Sequence, residues 1–128
     1  MRRTDRPSAS AELALGWNGL HWGSPLAEFR ARFPHAARTE SGWWVTGEGA
    51  EEFCGIPMAF TQYGFDQRDQ LYMVSFIPEV IHRDRLAPAA LNALGAPSDY
   101  ATVWRLGDVV VEVKIAGVVA TVTHGRYA

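Results

Sequence analysis

Residues 57–77, PMAFTQYGFDQRDQLYMVSFI, decide the fold. Two runs of strand-like alternation, Pro57 to Phe65 and Gln70 to Ile77, flank the short polar stretch Asp66-Gln67-Arg68-Asp69, which predicts an antiparallel hairpin. Successive strand residues point to opposite sides of a sheet. Unbroken alternation puts Met58 and Phe60, with Leu71, Met73 and Ile77, on the helix-facing side and leaves Tyr63, Phe65, Tyr72, Val74 and Phe76 opposite. Both sides are then apolar. A wet cluster of Tyr and Phe marks an interface, whereas the same cluster under covering loops or a second copy is ordinary core.

Downstream, Thr102 to Leu106, Val109 to Ala116 and Val118 to His124, joined by Gly107-Asp108 and Gly117, read as a three-strand meander. Its alternation is one-sided. Val109, Val111, Val113 and Ile115 share an inner face with Val118, Ala120 and Val122, while Glu112, Lys114, Thr121 and Thr123 take the outer one, as an open sheet facing water requires. Upstream, Leu20-His21-Trp22 is extended. Ser24 then has the chemistry of a helix cap and Pro25 that of the first helical position, followed by a stripe of Leu26, Phe29 and Phe33 that ends at Pro34. Trp43-Trp44-Val45-Thr46 is strand-like, and two adjacent Trp residues on a strand must diverge, which places at least one on the outer side. A second helix stripe, Leu86, Ala87, Ala90, Leu91 and Leu94, closes at Gly95 and Pro97; Pro88 pushes its regular part to about Ala87, with a separate turn before it.

The fold class expected is α+β, with two helices packed on one face of a twisted antiparallel sheet of five to seven strands. The halves 18–80 and 81–124 repeat one order, a helix, a Gly or Pro stop, a Trp-bearing strand and two more strands. A tandem α-β-β-β duplication and mere reuse of local grammar both account for it. Residues 1–13 read as a flexible N-terminal arm and 14–128 as a single domain.

The Trp22-Gly23-Ser24-Pro25 opening before an amphipathic helix, the Leu94-Gly95-Ala96-Pro97 ending and the helix-plus-three-strand order resemble the tandem layout of β-lactamase inhibitor proteins and of the related SmpA/OmlA lipoprotein domain. The resemblance spans most of residues 18 to 124 as a pattern. It implies an interaction module that works by protein–protein contact rather than an enzyme. This chain departs from those groups in having no export signal, no lipid-attachment cysteine near the N-terminus and no paired cysteines, and no functional residue carries over.

Length and composition fit that class: 128 residues, 48% hydrophobic and 20% charged, make one self-sufficient core. A net charge of −2 gives no field for nucleic acid. Cys54 is the sole cysteine, so no internal disulfide forms and a reducing, cytoplasmic setting is expected. The most apolar segment, Val109 to Val122, holds Glu112 and Lys114 and is broken by Gly117, so no membrane crossing is expected.

Chemistry finds few convergent groups. His21, His35, His82 and His124 lack metal-ligand spacing, Gly47-Glu48-Gly49 lacks the lysine of a phosphate loop, and no cofactor is expected. Cys54 with a distant histidine such as His82, or Glu48, Glu51 and Glu52 in the acidic loop, would serve an enzyme or a small-ligand pocket. An inert thiol and a solvated loop are the simpler accounts. The expected function is therefore non-catalytic protein binding through Trp44, Tyr63, Phe65, Tyr72 and Phe76, with a protein partner and a homodimer among the assemblies such a face serves.

Overall fold

Among the described residues a mostly antiparallel sheet of eight strands carries helices on one face, and a two-stranded hairpin stands beside it. The computed structural model describes residues 9–47, 51–98, 102–114 and 119–125. In chain order the elements are α1 (Ala9–Leu15), β1 (Gly16–Trp17), β2 (Leu20–His21), α2 (Leu26–Arg32), β3 (Ala37–Arg38), β4 (Trp44–Thr46), β5 (Glu52–Phe53), β6 (Ile56–Phe65), β7 (Leu71–Pro78), a 3-10 helix (Val80–Arg85), α3 (Leu86–Leu94), β8 (Val103–Leu106), β9 (Val109–Lys114) and β10 (Val119–His124). The main sheet runs β3-β4-β6-β7-β10-β9-β8, with β5 paired to β6.

The α+β class with an antiparallel sheet is as expected, but the described residues hold three α-helices where two were expected. Residues 9–13, assigned from sequence to the arm, belong to α1: Leu13 is buried, and its carbonyl accepts a 2.7 Å hydrogen bond from Trp22 Nε1. Residues 1–8 of the arm lie outside the described residues. At α2 the cap is Pro25, in an extended conformation, and Ser24 Oγ instead accepts the His21 N–H at 3.0 Å. The helix still buries the expected Phe29. Pro88 falls in the first turn of α3, where its missing N–H has no helical partner, and the 3-10 helix supplies the separate turn before it.

Two short turns need left-handed backbone. Asn18 and Gly19 (φ 54° and 86°) join β1 to β2, and Cys54 and Gly55 (φ 53° and 83°) join β5 to β6; both are two-residue connections of the kind that suits the twist of paired strands.

The core lies between the sheet and the helices. Val109, Val111, Val113, Ala120 and Val122 face it, and Glu112 and Lys114 are exposed, as the sequence alternation requires; Ile115 and Val118 lie outside the described residues. On the central hairpin the faces are the reverse of those read from sequence. Thr61, Tyr63, Val74 and Phe76 are buried against the helices, while Phe60, Met73 and Ile77 lie on the other side. Two register shifts cause this. Met58 pairs Pro78 but Phe60 pairs Ile77, so Ala59 is an extra residue on β6; Gly64 pairs Met73 but Phe65 pairs Leu71, so Tyr72 is an extra residue on β7. Each extra residue reverses the inward–outward phase of the strand beyond it. Met58 and Leu71 thus stay inside while their apparent partners Phe60 and Met73 turn outward.

Candidate functional site

The residues expected to form a docking face are mostly interior. Tyr63 and Phe76 are both 0% exposed. Trp44 and Phe65 are half-buried and meet Phe29 of α2 at ring-centroid distances of 5.9 and 5.4 Å, with Tyr63 at 4.8 Å from the same ring. Phe76 belongs to a second aromatic group, stacked on Phe53 at 4.5 Å and edge-on to Trp17 at 4.7 Å. Tyr72 is half-buried at the bulge. Trp44, Tyr63, Phe65 and Phe76 are therefore helix-side packing. Tyr63 and Phe76, turned inward by the bulges at Ala59 and Tyr72, are sealed in the core and leave the docking face expected from sequence, while Trp44 and Phe65 keep part of their surface.

What the strands turn outward is a different apolar surface, arranged in three cross-strand rows. The first holds Trp43, Gly64, Met73, Thr123 and Val110; the second Val45, Gln62, Ser75, Thr121 and Glu112; the third Phe60 and Ile77, with Val119 and Lys114 two residues along from Thr121 and Glu112. Trp43 is the outward member of the Trp pair. A Cβ on Gly64 would stand 3.0 Å from Trp43 Cζ3 and 3.5 Å from Met73 Cβ, so the indole lies across the glycine on the outer face. Trp43, Val45, Phe60, Met73, Ile77 and Val110 are half-buried among their sheet neighbours, and none belongs to the core cluster or packs against it. Among the described residues, the helices place their buried side chains, Leu13, Phe29, Leu86 and Ala90, in the core on the opposite side.

A polar centre lies on the helix side. The half-buried Glu51 carboxylate accepts from Trp17 Nε1 at 2.9 Å, from Thr46 Oγ1 at 2.8 Å and from Tyr63 OH at 3.2 and 3.3 Å. Burial first, then the Glu51 charge, push the Tyr63 phenol above its ordinary value of 10.0. Glu51 thus serves as an acceptor that satisfies three donors near the core. The sequence marked it only as a loop acid, because its partners come from β1, β4 and β6. Of its loop neighbours, Glu52 is exposed on β5 and Glu48 lies outside the described residues.

A groove of about 400 Å³ opens beside it, between the loop after α2 and Thr46-Gly47, with Arg32 and Phe33 on its wall. The Thr46 hydroxyl there is already given to Glu51. Arg32 lies over the Phe33 ring at 5.8 Å.

Among the described residues Cys54 and His82 share no hydrogen bond. Burial raises the Cys54 thiol to about 12, leaving negligible thiolate near neutrality. His82 Nδ1 is 3.1 Å from Arg85 Nη1, within its own helical turn. Among the described residues no three His, Cys, Asp or Glu side chains are grouped to hold a metal ion, and no helix is long and apolar enough to cross a membrane. No protein-family model matches this chain, and neither a curated protein nor a solved structure matches it.

Proposed function

We propose that this chain is a non-catalytic protein-binding module of a bacterial type, acting as an inhibitor, immunity protein, adaptor or chaperone does, and that its working surface is the outer sheet face around Trp43, Phe60, Met73 and Ile77. The observation that carries the reading is the sidedness of the central hairpin. Four large apolar side chains stand on the face away from the helices, outside the core cluster, and the exposed charges Glu112 and Lys114 border them on β9. An apolar centre with a charged margin is how protein interfaces are built. Its partner presents an uncharged, apolar surface to the middle strands. The raised Cys54 thiol argues against nucleophilic chemistry at that residue.

The strand order supports the tandem α-β-β-β reading and with it the likeness to the β-lactamase inhibitor and SmpA/OmlA layout. One unit is α2 with β4, β6 and β7, the other α3 with β8, β9 and β10, and the third strands of the two units, β7 and β10, pair at the centre of the sheet. The sole cysteine fits a reducing compartment such as the cytoplasm.

Affinity capture from the native lysate tests the function. Wild-type bait and a Leu91→Lys control, altered on the exposed side of α3, retain the same partner, and Met73→Lys and Ile77→Glu baits of unchanged circular dichroism lose it. Equal retention by all four baits overturns the reading.

A further inference from the structure

We infer that the occupant of the outer face is a second copy of this chain, docked through a two-fold axis that runs across the strands along the row Gln62, Ser75 and Thr121; this rests on the outer face being the working surface. The inference comes from the symmetry of the three rows. Trp43, Gly64 and Met73 lie two residues to one side of that middle row, and Phe60 and Ile77 two residues to the other side. A two-fold along the middle row therefore lays each apolar row on the other apolar row of the partner copy. On β7, Met73 meets Ile77. On β6, the indole of Trp43, spread over Gly64, meets the ring of Phe60. The middle row meets itself, so that Gln62, Ser75 and Thr121 can pair hydroxyl and amide groups across the axis, with Val45 on Val45 at one end and Glu112 beside its own copy at the other.

The centre of this arrangement is free of charge. From β4 to β10 none of the three rows carries an ionisable side chain among the described residues, and the first charges, Glu112 and Lys114, stand at the β9 margin. Two copies therefore come together without desolvating a charge at the centre. Four strands, β4 to β10, at about 4.8 Å spacing over a length of about 20 Å give a flat area of about 380 Å² per copy, or roughly 770 Å² for the pair. That is the size of a weak, transient interface, so the dimer forms and dissociates with concentration.

Sedimentation velocity over about 1 to 200 μM tests this. The wild type and Leu91→Lys move from the 14.1 kDa monomer toward twice that mass, while Met73→Lys and Phe60→Glu stay monomeric throughout. A nitroxide on Thr121→Cys, in a Cys54→Ser background, then reports an intermolecular separation of about 10 to 20 Å, set by the spacing of two stacked sheets and the label arms. A monomer at every concentration overturns the inference, as does a dimer that survives both face substitutions. If the chain is monomeric but Met73→Lys loses a captured partner, only the second-copy inference fails; if it is monomeric and face substitutions change no partner, both readings fail.

Discussion

Replacing Phe76 and Ile77 one at a time with Ala measures which side of β7 is inside. Phe76 is 0% exposed, its ring stacked on Phe53 at 4.5 Å and edge-on to Trp17 at 4.7 Å. Truncating a buried Phe costs about 3 to 5 kcal/mol, and two aromatic contacts of about 0.5 to 1.5 kcal/mol each put this site in the upper part of that range, about 4 kcal/mol. Ile77 is half-buried on the outer face and outside the core cluster, so its truncation costs about 1 kcal/mol. A domain with about 5 to 15 kcal/mol of stability survives the second change easily and the first only narrowly, so Phe76→Leu, which keeps most of the volume, is measured alongside. Urea unfolding monitored by far-ultraviolet circular dichroism gives the differences at constant slope. A larger loss for Ile77→Ala than for Phe76→Ala, or a Phe76→Ala cost below about 1 kcal/mol, refutes this assignment of the faces.

Glu51→Ala strips the acceptor from Trp17, Thr46 and Tyr63 and costs about 2 kcal/mol in urea unfolding, with non-additivity when combined with Tyr63→Phe; additivity within about 0.3 kcal/mol contradicts the shared network. The Cys54 thiol, raised to about 12 by burial, resists iodoacetamide at pH 8 in the folded protein and reacts once the chain is unfolded, so rapid labelling of the native state contradicts its placement. Cys54 and Tyr63 hold their protons more tightly folded than unfolded, so their effect on stability is nil below the thiol's ordinary 9.0 and becomes a loss as pH rises above it; urea midpoints that fail to fall between pH 9 and 11 oppose this. Gly16→Ala drives a Cβ into the Leu20 carbonyl oxygen across the β1–β2 hairpin, and thermal melting shows a loss on the order of 3 kcal/mol or no folded protein; a near-neutral change rules out the pairing of Gly16 with His21.

The C-terminal meander is legible in the sequence because nothing interrupts its alternation: Val109, Val111, Val113, Ala120 and Val122 point inward as expected. The central hairpin is legible as a hairpin and as apolar on both faces, but not in its phase. Ala59 and Tyr72, the residues that reverse it, have no chemistry that marks a bulge, since either fits an ordinary strand position. The docking residues depend on that phase, so alternation alone turns Tyr63 and Phe76 outward where the folded chain turns Met73 and Ile77. Adjacent Trp43 and Trp44 do announce their divergence; which one turns out follows from the β4–β6 register, which pairs Trp44 with the inward Tyr63 and leaves Trp43 beside Gly64. The Asn18-Gly19 turn carries a usable hairpin signal beside the extended Leu20-His21-Trp22, and it marks the β1–β2 pair that the element order expected from sequence leaves out. Glu51 cannot be singled out from its acidic loop, because its donors lie 34, 5 and 12 residues away and meet only in the fold.

The chain has three methionines, and two of them report directly on the two faces: Met58 is 1% exposed against the helices and Met73 lies on the outer sheet face. Methyl-labelled methionine spectra, assigned with Met73→Leu and recorded at a concentration where the protein sediments as a monomer, are titrated with a soluble gadolinium chelate. The Met73 methyl resonance broadens steeply and that of Met58 stays sharp if the bulges set the faces as described. Equal protection of the two methyls, or broadening of Met58 alone, contradicts the outward apolar surface and the binding role built on it.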